Sequence, residues 1–314
     1  MERVIVVGAG VTGLSCAVRL LEAGHEVHVL ARDLPPETTS AVSAALWYPY
    51  KATLQPRVQE WGARAYEVFT ELADIEGTGV RLRRGTEMLR SAAPDPTWVH
   101  GLRDYARTDD ASEPYVASRS FVSPVADMSI YLPWLRTRVA ELGGTVTRLP
   151  LADLPRPEHG VVVNTAGLGA RGLAHDSTIT PNRGQVVVVA QFGLTEWSLD
   201  DAGPTYLVPR EETVIVGGTA LDDEWNVQPD PALAPGFLAR AHDLLLHTGD
   251  PALADRLRRA DVLAHRVGLR PVRPTVRLEE EVQGSTRVIH CYGHGGAGMT
   301  LSWGCAEDVT ALLA

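Results

Sequence analysis

A chain of 314 residues is long enough to bury a sizeable core, with room for two domains. Its formal net charge of −10 opposes nonspecific nucleic-acid binding, and no apolar run approaches the length of a membrane span. Met1-Glu2-Arg3 leads straight into an apolar run with no secretory signal. Cys16, Cys291 and Cys305 make neither a metal-ligand spacing nor a disulfide framework, so buried thiols in a reducing, cytoplasmic compartment are expected.

In chain order, Val4-Ile5-Val6-Val7 suits a buried parallel strand. Gly8-Ala9-Gly10-Val11-Thr12-Gly13 is a full G-x-G-x-x-G, followed by a helical run from Leu14 to Ala23, a stop at Gly24 and the strand Val27-His28-Val29-Leu30. In this setting Gly8 makes the tight turn, Gly10 admits a pyrophosphate and Gly13 lets helix pack on strand. The acid expected after the second strand comes one position late, as Arg32 then Asp33. That order leaves open a ribose contact, a 2′-phosphate contact or an ordinary exposed ion pair.

Tyr131 to Leu142 has helical spacing, ends at Gly143-Gly144 and feeds the strand Val146-Thr147-Arg148-Leu149. Gly160 to Gly167 reads as a buried strand ending in small residues. These segments, with a C-terminal strand and helix, form one doubly wound sheet. The remainder reads differently: Gln185–Ala190 is β-rich, Thr205–Pro209 and Thr213–Gly217 make a hairpin, and Pro231–Leu246 is helical.

Two segments carry candidate chemistry. Gly268 to Leu278 holds Pro271 and Pro274, which exclude a regular helix. In an extended chain Arg270 faces opposite to Arg273 and Arg277, so one face can turn an arginine inward toward an anion while the other reaches solvent. A plain surface strip fits the same pattern. Tyr206 heads a strand and either offers a phenol to a carboxylate or packs at the rim. The second segment has glycines at 293, 295, 296 and 298 and runs into a helix, whose N-terminus presents free N–H groups. His294 between those glycines reads as a loop histidine satisfied by backbone.

Taken together the chain resembles the D-amino-acid oxidase family of FAD enzymes over nearly its whole length. The resemblance rests on Val6-Val7-Gly8-Ala9-Gly10-Val11-Thr12-Gly13-Leu14-Ser15, Ala41 to Pro49, Asn182-Arg183-Gly184-Gln185, Tyr206 to Pro209 with Val216-Gly217-Gly218, Gly268 to Pro274, and Tyr292 to Thr300 with Trp303 to Ala306. It implies an α/β fold: a doubly wound, Rossmann-like FAD-binding domain (1–50, 129–184, 270–314) interleaved with an antiparallel-sheet α+β substrate domain (51–128, 185–269). It further implies oxidative deamination of D-amino acids to 2-oxo acids, ammonia and hydrogen peroxide, by hydride transfer from substrate Cα to flavin N5.

Residue by residue, the resemblance assigns Arg270 and Tyr206 to the substrate carboxylate, and the Gly296 carbonyl to the amino group. Gly8, Ala9, Gly10, Val11, Thr12, Gly13, Arg32, Asp33, Thr38, Thr39, Ser40, Ala44, Ala45, Leu46, Ala166, Gly167, Gly295, Gly298, Met299 and Thr300, with Arg270, are its cofactor residues; no metal is expected. Ala202 stands where many relatives place a lid tyrosine, and Ala297 where an aromatic often lies, so both are expected to leave room for substrate. Leu199 falls where the D-aspartate branch has an arginine, which points to neutral side chains, although Arg183 or Arg210 could still reach the pocket. Expected partners are the D-amino acid and dioxygen, with a homodimer as the candidate assembly and no nucleic acid or membrane. The alternatives are a D-aspartate oxidase, a glycine or N-methyl amino acid oxidase, an NAD(P)-dependent dehydrogenase and a non-catalytic flavoprotein.

Overall fold

The computed structural model describes residues 1–53, 55–157, 160–249 and 251–314. Its strands are β1 (Arg3–Val7), β2 (Glu26–Ala31), β3 (Val80–Leu89), β4 (Ala106–Thr108), β5 (Ala117–Ala126), β6 (Thr145–Arg148), β7 (Val161–Asn164), β8 (Thr180–Ala190), β9 (Trp197–Asp200), β10 (Tyr206–Pro209), β11 (Thr213–Gly217), β12 (Leu221–Asp222), β13 (Val262–Gln283) and β14 (Thr286–His294). Its helices are α1 (Val11–Glu22), α2 (Thr39–Val42), α3 (Pro56–Ala73), α4 (Met128–Glu141), α5 (Ala170–Leu173), α6 (Ala234–Thr248), α7 (Pro251–Leu257) and α8 (Gly298–Ala311).

The strands join in one path, β4-β5-β3-β9-β10-β11-β8-β13-β14-β7-β1-β2-β6, with β12 on β8. From β14 through β7, β1 and β2 to β6 every pair is parallel, as the βαβ pattern required. These strands are covered on both faces, and Val4, Val6, Val161, Val163 and Ile289 are fully buried. Helix α1 contributes Leu14, Cys16, Ala17, Val18 and Leu20 to the same core. Its C-terminal turn closes where Gly24, at φ +85°, donates its N–H to the Leu21 carbonyl. Helix α4 begins one turn earlier than its apolar spacing indicated, because Asp127 accepts from the Ser129 N–H and caps it.

The other half is antiparallel except for one parallel pair, β3 with β9, a departure from the purely antiparallel expectation. Strand β13 belongs to both halves: residues 262–272 pair with β8, and residues 277–283 pair with β14. The β13–β14 register shifts between Val272 and Arg277, where Pro274 can donate no N–H to a ladder. The boundaries expected at 184/185 and 269/270 therefore fall inside strands, because one continuous sheet ties the two halves.

Candidate active site

A cavity of about 810 Å³ opens between the two halves, within the range of cofactor and ligand sites. On the parallel side it is bounded by the β1–α1 turn. Gly8 sits at φ +117°, and a Cβ there would come within 2.7 Å of the Thr165 carbonyl oxygen. Gly13 does not line the cavity; it lets α1 rest on the Gly8 carbonyl, which a Cβ would meet at 2.0 Å. Gly10 caps α1 without a side-chain acceptor, so the helix presents open N–H groups, one of which, from Val11, reaches the Ser40 hydroxyl at 3.0 Å.

The residues present fit a flavin dinucleotide. Gly8, Ala9, Gly10, Val11, Thr12, Arg32, Asp33, Thr38, Thr39, Ser40, Leu46, Ala166, Gly167, Gly295, Gly298 and Met299 all line this one cavity. Thr38 lines the wall at the N-terminus of α2, whose first turn has no side-chain cap and so presents free N–H groups to the same cavity. Arg32 and Asp33 grip each other at 2.6 Å on the rim.

Besides Gly13, three of the residues assigned to the cofactor stand elsewhere. Ala44 packs behind Tyr206 in a small apolar cluster. Ala45 is buried at φ +55°, its carbonyl taken by the Ala126 N–H. Thr300 gives its hydroxyl to the Tyr48 carbonyl at 2.8 Å and anchors that segment. Ala297 and Ala202 likewise do not open the cavity. Ala297 is fully buried as the N-cap of α8, and Ala202 lies in the short turn joining β9 to β10.

Across the cavity, Arg270 reaches over β8. Its Nη1 donates to the Asn182 carboxamide oxygen at 2.8 Å and to the Thr219 carbonyl at 3.3 Å. The Tyr206 phenol adjoins the same guanidinium. Burial raises the phenol above its ordinary pKa against the pull of Arg270, so it stays a neutral donor. Glycines make both placements: Gly217 faces Tyr206 across β10–β11, and Gly184 lies beneath Arg270. Of the other proline-segment arginines, Arg273 pairs with Asp176 at 2.9 Å and Arg277 with Glu281 and the Tyr292 hydroxyl. The second face is thus a clamped ion-pair cluster and not free surface.

Tyr48 and Tyr50, to which the sequence assigned no role, also line the cavity. The Tyr48 hydroxyl donates to Glu87 Oε1 at 2.6 Å, and burial lifts that carboxyl above its usual range although Tyr48 and Arg119 pull it down. Tyr50 lies over the Arg270 guanidinium, 5.4 Å from ring centre to Cζ, and against Gly296. Tyr48 falls within the Ala41–Pro49 motif, but no spacing marked either tyrosine for a role. His294 also differs from expectation. Its Nε2 faces the thiols of Cys305 at 3.5 Å and Cys291 at 3.9 Å, not backbone.

A dinucleotide cradle and an anchored guanidinium facing one cavity define a flavin-type oxidoreductase site. The chain belongs to the FAD dependent oxidoreductase family, whose description matches residues 3–312. It is 47% identical to the D-amino-acid oxidase of Rubrobacter xylanophilus, covering 99% of this chain and 96% of that protein. It is 33% identical to the D-aspartate oxidase of Homo sapiens, covering 99% and 94% respectively. Its fold matches the crystal structure of glycine oxidase from Geobacillus kaustophilus at a TM-score of 0.80 and 17% identity, over 99% of this chain and 95% of that one. Among the described residues no helix is long and apolar enough to cross a membrane.

Proposed function

We propose that this oxidoreductase deaminates D-amino acids with neutral side chains, giving a 2-oxo acid, ammonia and hydrogen peroxide. Bound FAD supplies the two-electron acceptor, and dioxygen is the reoxidant. The observation that carries the reading is the Arg270–Tyr206 pair, aimed into the same cavity as the glycine-rich turn before α8.

Arg270 has one Nη engaged by Asn182, which orients the fork and leaves donors for a substrate carboxylate. Tyr206 adds a neutral O–H donor. The Gly296 carbonyl is the acceptor for the substrate amino group. Three fixed points orient Cα, which makes positioning the main contribution of the protein. The amino group enters as the free base, so no catalytic base is required, and His294, turned toward the thiols, is given no such role. The N-terminus of α8, uncapped by a side chain, stabilises negative charge developing beside it.

The side-chain end of the cavity disfavours a second carboxylate. Leu199, Pro204 and Val227 line it beside Asp200, whose carboxylate is already held by Arg90 at 2.6 Å, so this stretch of wall offers an incoming anion no free cation. Arg183 is spent on the carbonyls of Asn226 and Gln228, both at 2.7 Å. Arg210 is spent on Asp127 and the Ser43 carbonyl. Neither serves as the second anion grip a D-aspartate oxidase needs. The test is kcat/KM for D-aspartate against D-alanine, D-valine, D-methionine and D-phenylalanine in one buffer, with L-enantiomers as blanks. The neutral substrates should lead. If D-aspartate leads, the pocket belongs to the D-aspartate type; peroxide from none of them, with flavin bound, removes the D-amino acid reading. For cellular place and assembly, the reading is a cytoplasmic enzyme, with a homodimer as the form to test by light scattering.

A further inference from the structure

At the cavity floor, two consecutive elements bring sulfur and nitrogen to one point. Cys291 and His294 come from β14 and Cys305 from the second turn of α8. All three are buried, at 1%, 4% and 0% exposure. His294 Nε2 lies 3.5 Å from Cys305 Sγ and 3.9 Å from Cys291 Sγ, and the three donor atoms lie within 4.8 Å of one another. Cys16, fully buried on α1, contacts the Cys291 thiol.

We infer that Cys291, His294 and Cys305, with Cys16 beside them, form a structural site for a thiophilic divalent cation, Zn²⁺. A tetrahedral zinc with bonds of about 2.3 Å to sulfur and about 2.05 Å to nitrogen separates S from N by about 3.6 Å and S from S by about 3.8 Å. The two S···N separations here bracket that value. The donor set excludes hard cations, since no oxygen ligand belongs to the cluster and soft thiolates select zinc or cuprous copper. Charge then chooses between those two. Two thiolates, a neutral imidazole and a divalent cation sum to zero, whereas a monovalent cation leaves a net negative charge in the core. Cys16, outside the converging donor set, supplies an S–H donor to the Cys291 sulfur, the kind of outer contact that tunes a metal site.

The site would tie β14 to α8, and through Cys16 to α1. The N-termini of both helices line the cofactor cavity. Cys291 and His294 line that cavity, so the ion would stiffen its floor. This inference stands independently of which amino acid the enzyme prefers.

The test starts from flavin-loaded enzyme made in zinc-supplemented medium and passed through a chelator. Mass spectrometry should find about one zinc per chain, released by a mercurial that caps thiolates. X-ray absorption at the zinc edge should show sulfur with imidazole nitrogen. Cys305→Ala and Cys291→Ala should drop zinc to background and lower Tm while the flavin spectrum persists. If either variant fails to fold, the spectrum of the wild-type zinc shell decides: sulfur ligation supports the site, and an all-oxygen or all-nitrogen shell overturns it. Wild-type enzyme that neither carries zinc nor takes it up at equimolar Zn²⁺ also overturns it, as does zinc undiminished in both variants.

Discussion

The guanidinium of Arg270 occupies the space above Gly184, where an ideal Cβ would come within 2.4 Å of Nη2 and 2.5 Å of Cζ. The anchoring cation and the bare Cα beneath it are one feature, built from two strands far apart in the chain. A methyl at 184 would push the fork off its bond to Asn182. Gly184→Ala should therefore behave as a weakened Arg270 variant: kcat/KM falls about 10-fold or more, equivalent to about 1.4 kcal/mol, while flavin content is unchanged. Steady-state kinetics beside the flavin spectrum checks this; unchanged kcat/KM would mean the fork has another way to settle.

Truncation of the anchor itself has a larger effect. Removing one partner of a desolvated charge pair costs about 2–5 kcal/mol, so Arg270→Ala should lower kcat/KM by about 30-fold at least. Arg270→Lys should fall between, since it restores charge without the bidentate fork. A near-native Arg270→Ala enzyme would show that the substrate carboxylate is held elsewhere.

Gly304 sets the distance between α8 and α3. A Cβ at 304 would lie 2.4 Å from both the Cα and the carbonyl oxygen of Trp61, which are backbone atoms with nowhere to go. Gly304→Ala should cost about 1–3 kcal/mol, as overpacking in a close-packed core does. Chemical denaturation should show a lower midpoint at unchanged m-value.

Asp176 gives stability a dependence on acid. Burial alone would raise its carboxyl, but bonds from Thr178 and Arg273 hold it down at about 2. Its pKa in the unfolded chain is near about 3.9, so its stabilisation is complete above about pH 4 and is lost as the pH falls toward about 2. The urea midpoint of Asp176→Asn should lie below wild type by a constant amount from about pH 7 to about pH 5, and the gap should narrow below about pH 4. A gap that stays constant through the acid range would assign the effect to lost geometry and not to charge.

What the amino-acid order determined by itself was local. The run from Val4 to Leu30 states a strand, a helix and a second strand through periodicity and glycine spacing, all within one short segment, although the helix itself starts at Val11, one turn before the Leu14 the spacing indicated. Pro271 and Pro274 exclude a helix wherever the chain goes, because the missing N–H travels with the residue. Partners were another matter. That Arg270 meets Asn182, that Tyr206 stands over Gly217, and that Ala297 is core and not pocket follow from β8–β13 and β10–β11 register and from the seating of α8. Register is decided by packing between distant segments, where a one-residue slip turns every side chain to the opposite face. The same reason hid the thiol–imidazole cluster: Cys16, Cys291 and Cys305 carry no spacing motif, and only the packing of α1 and α8 around β14 brings them beside His294.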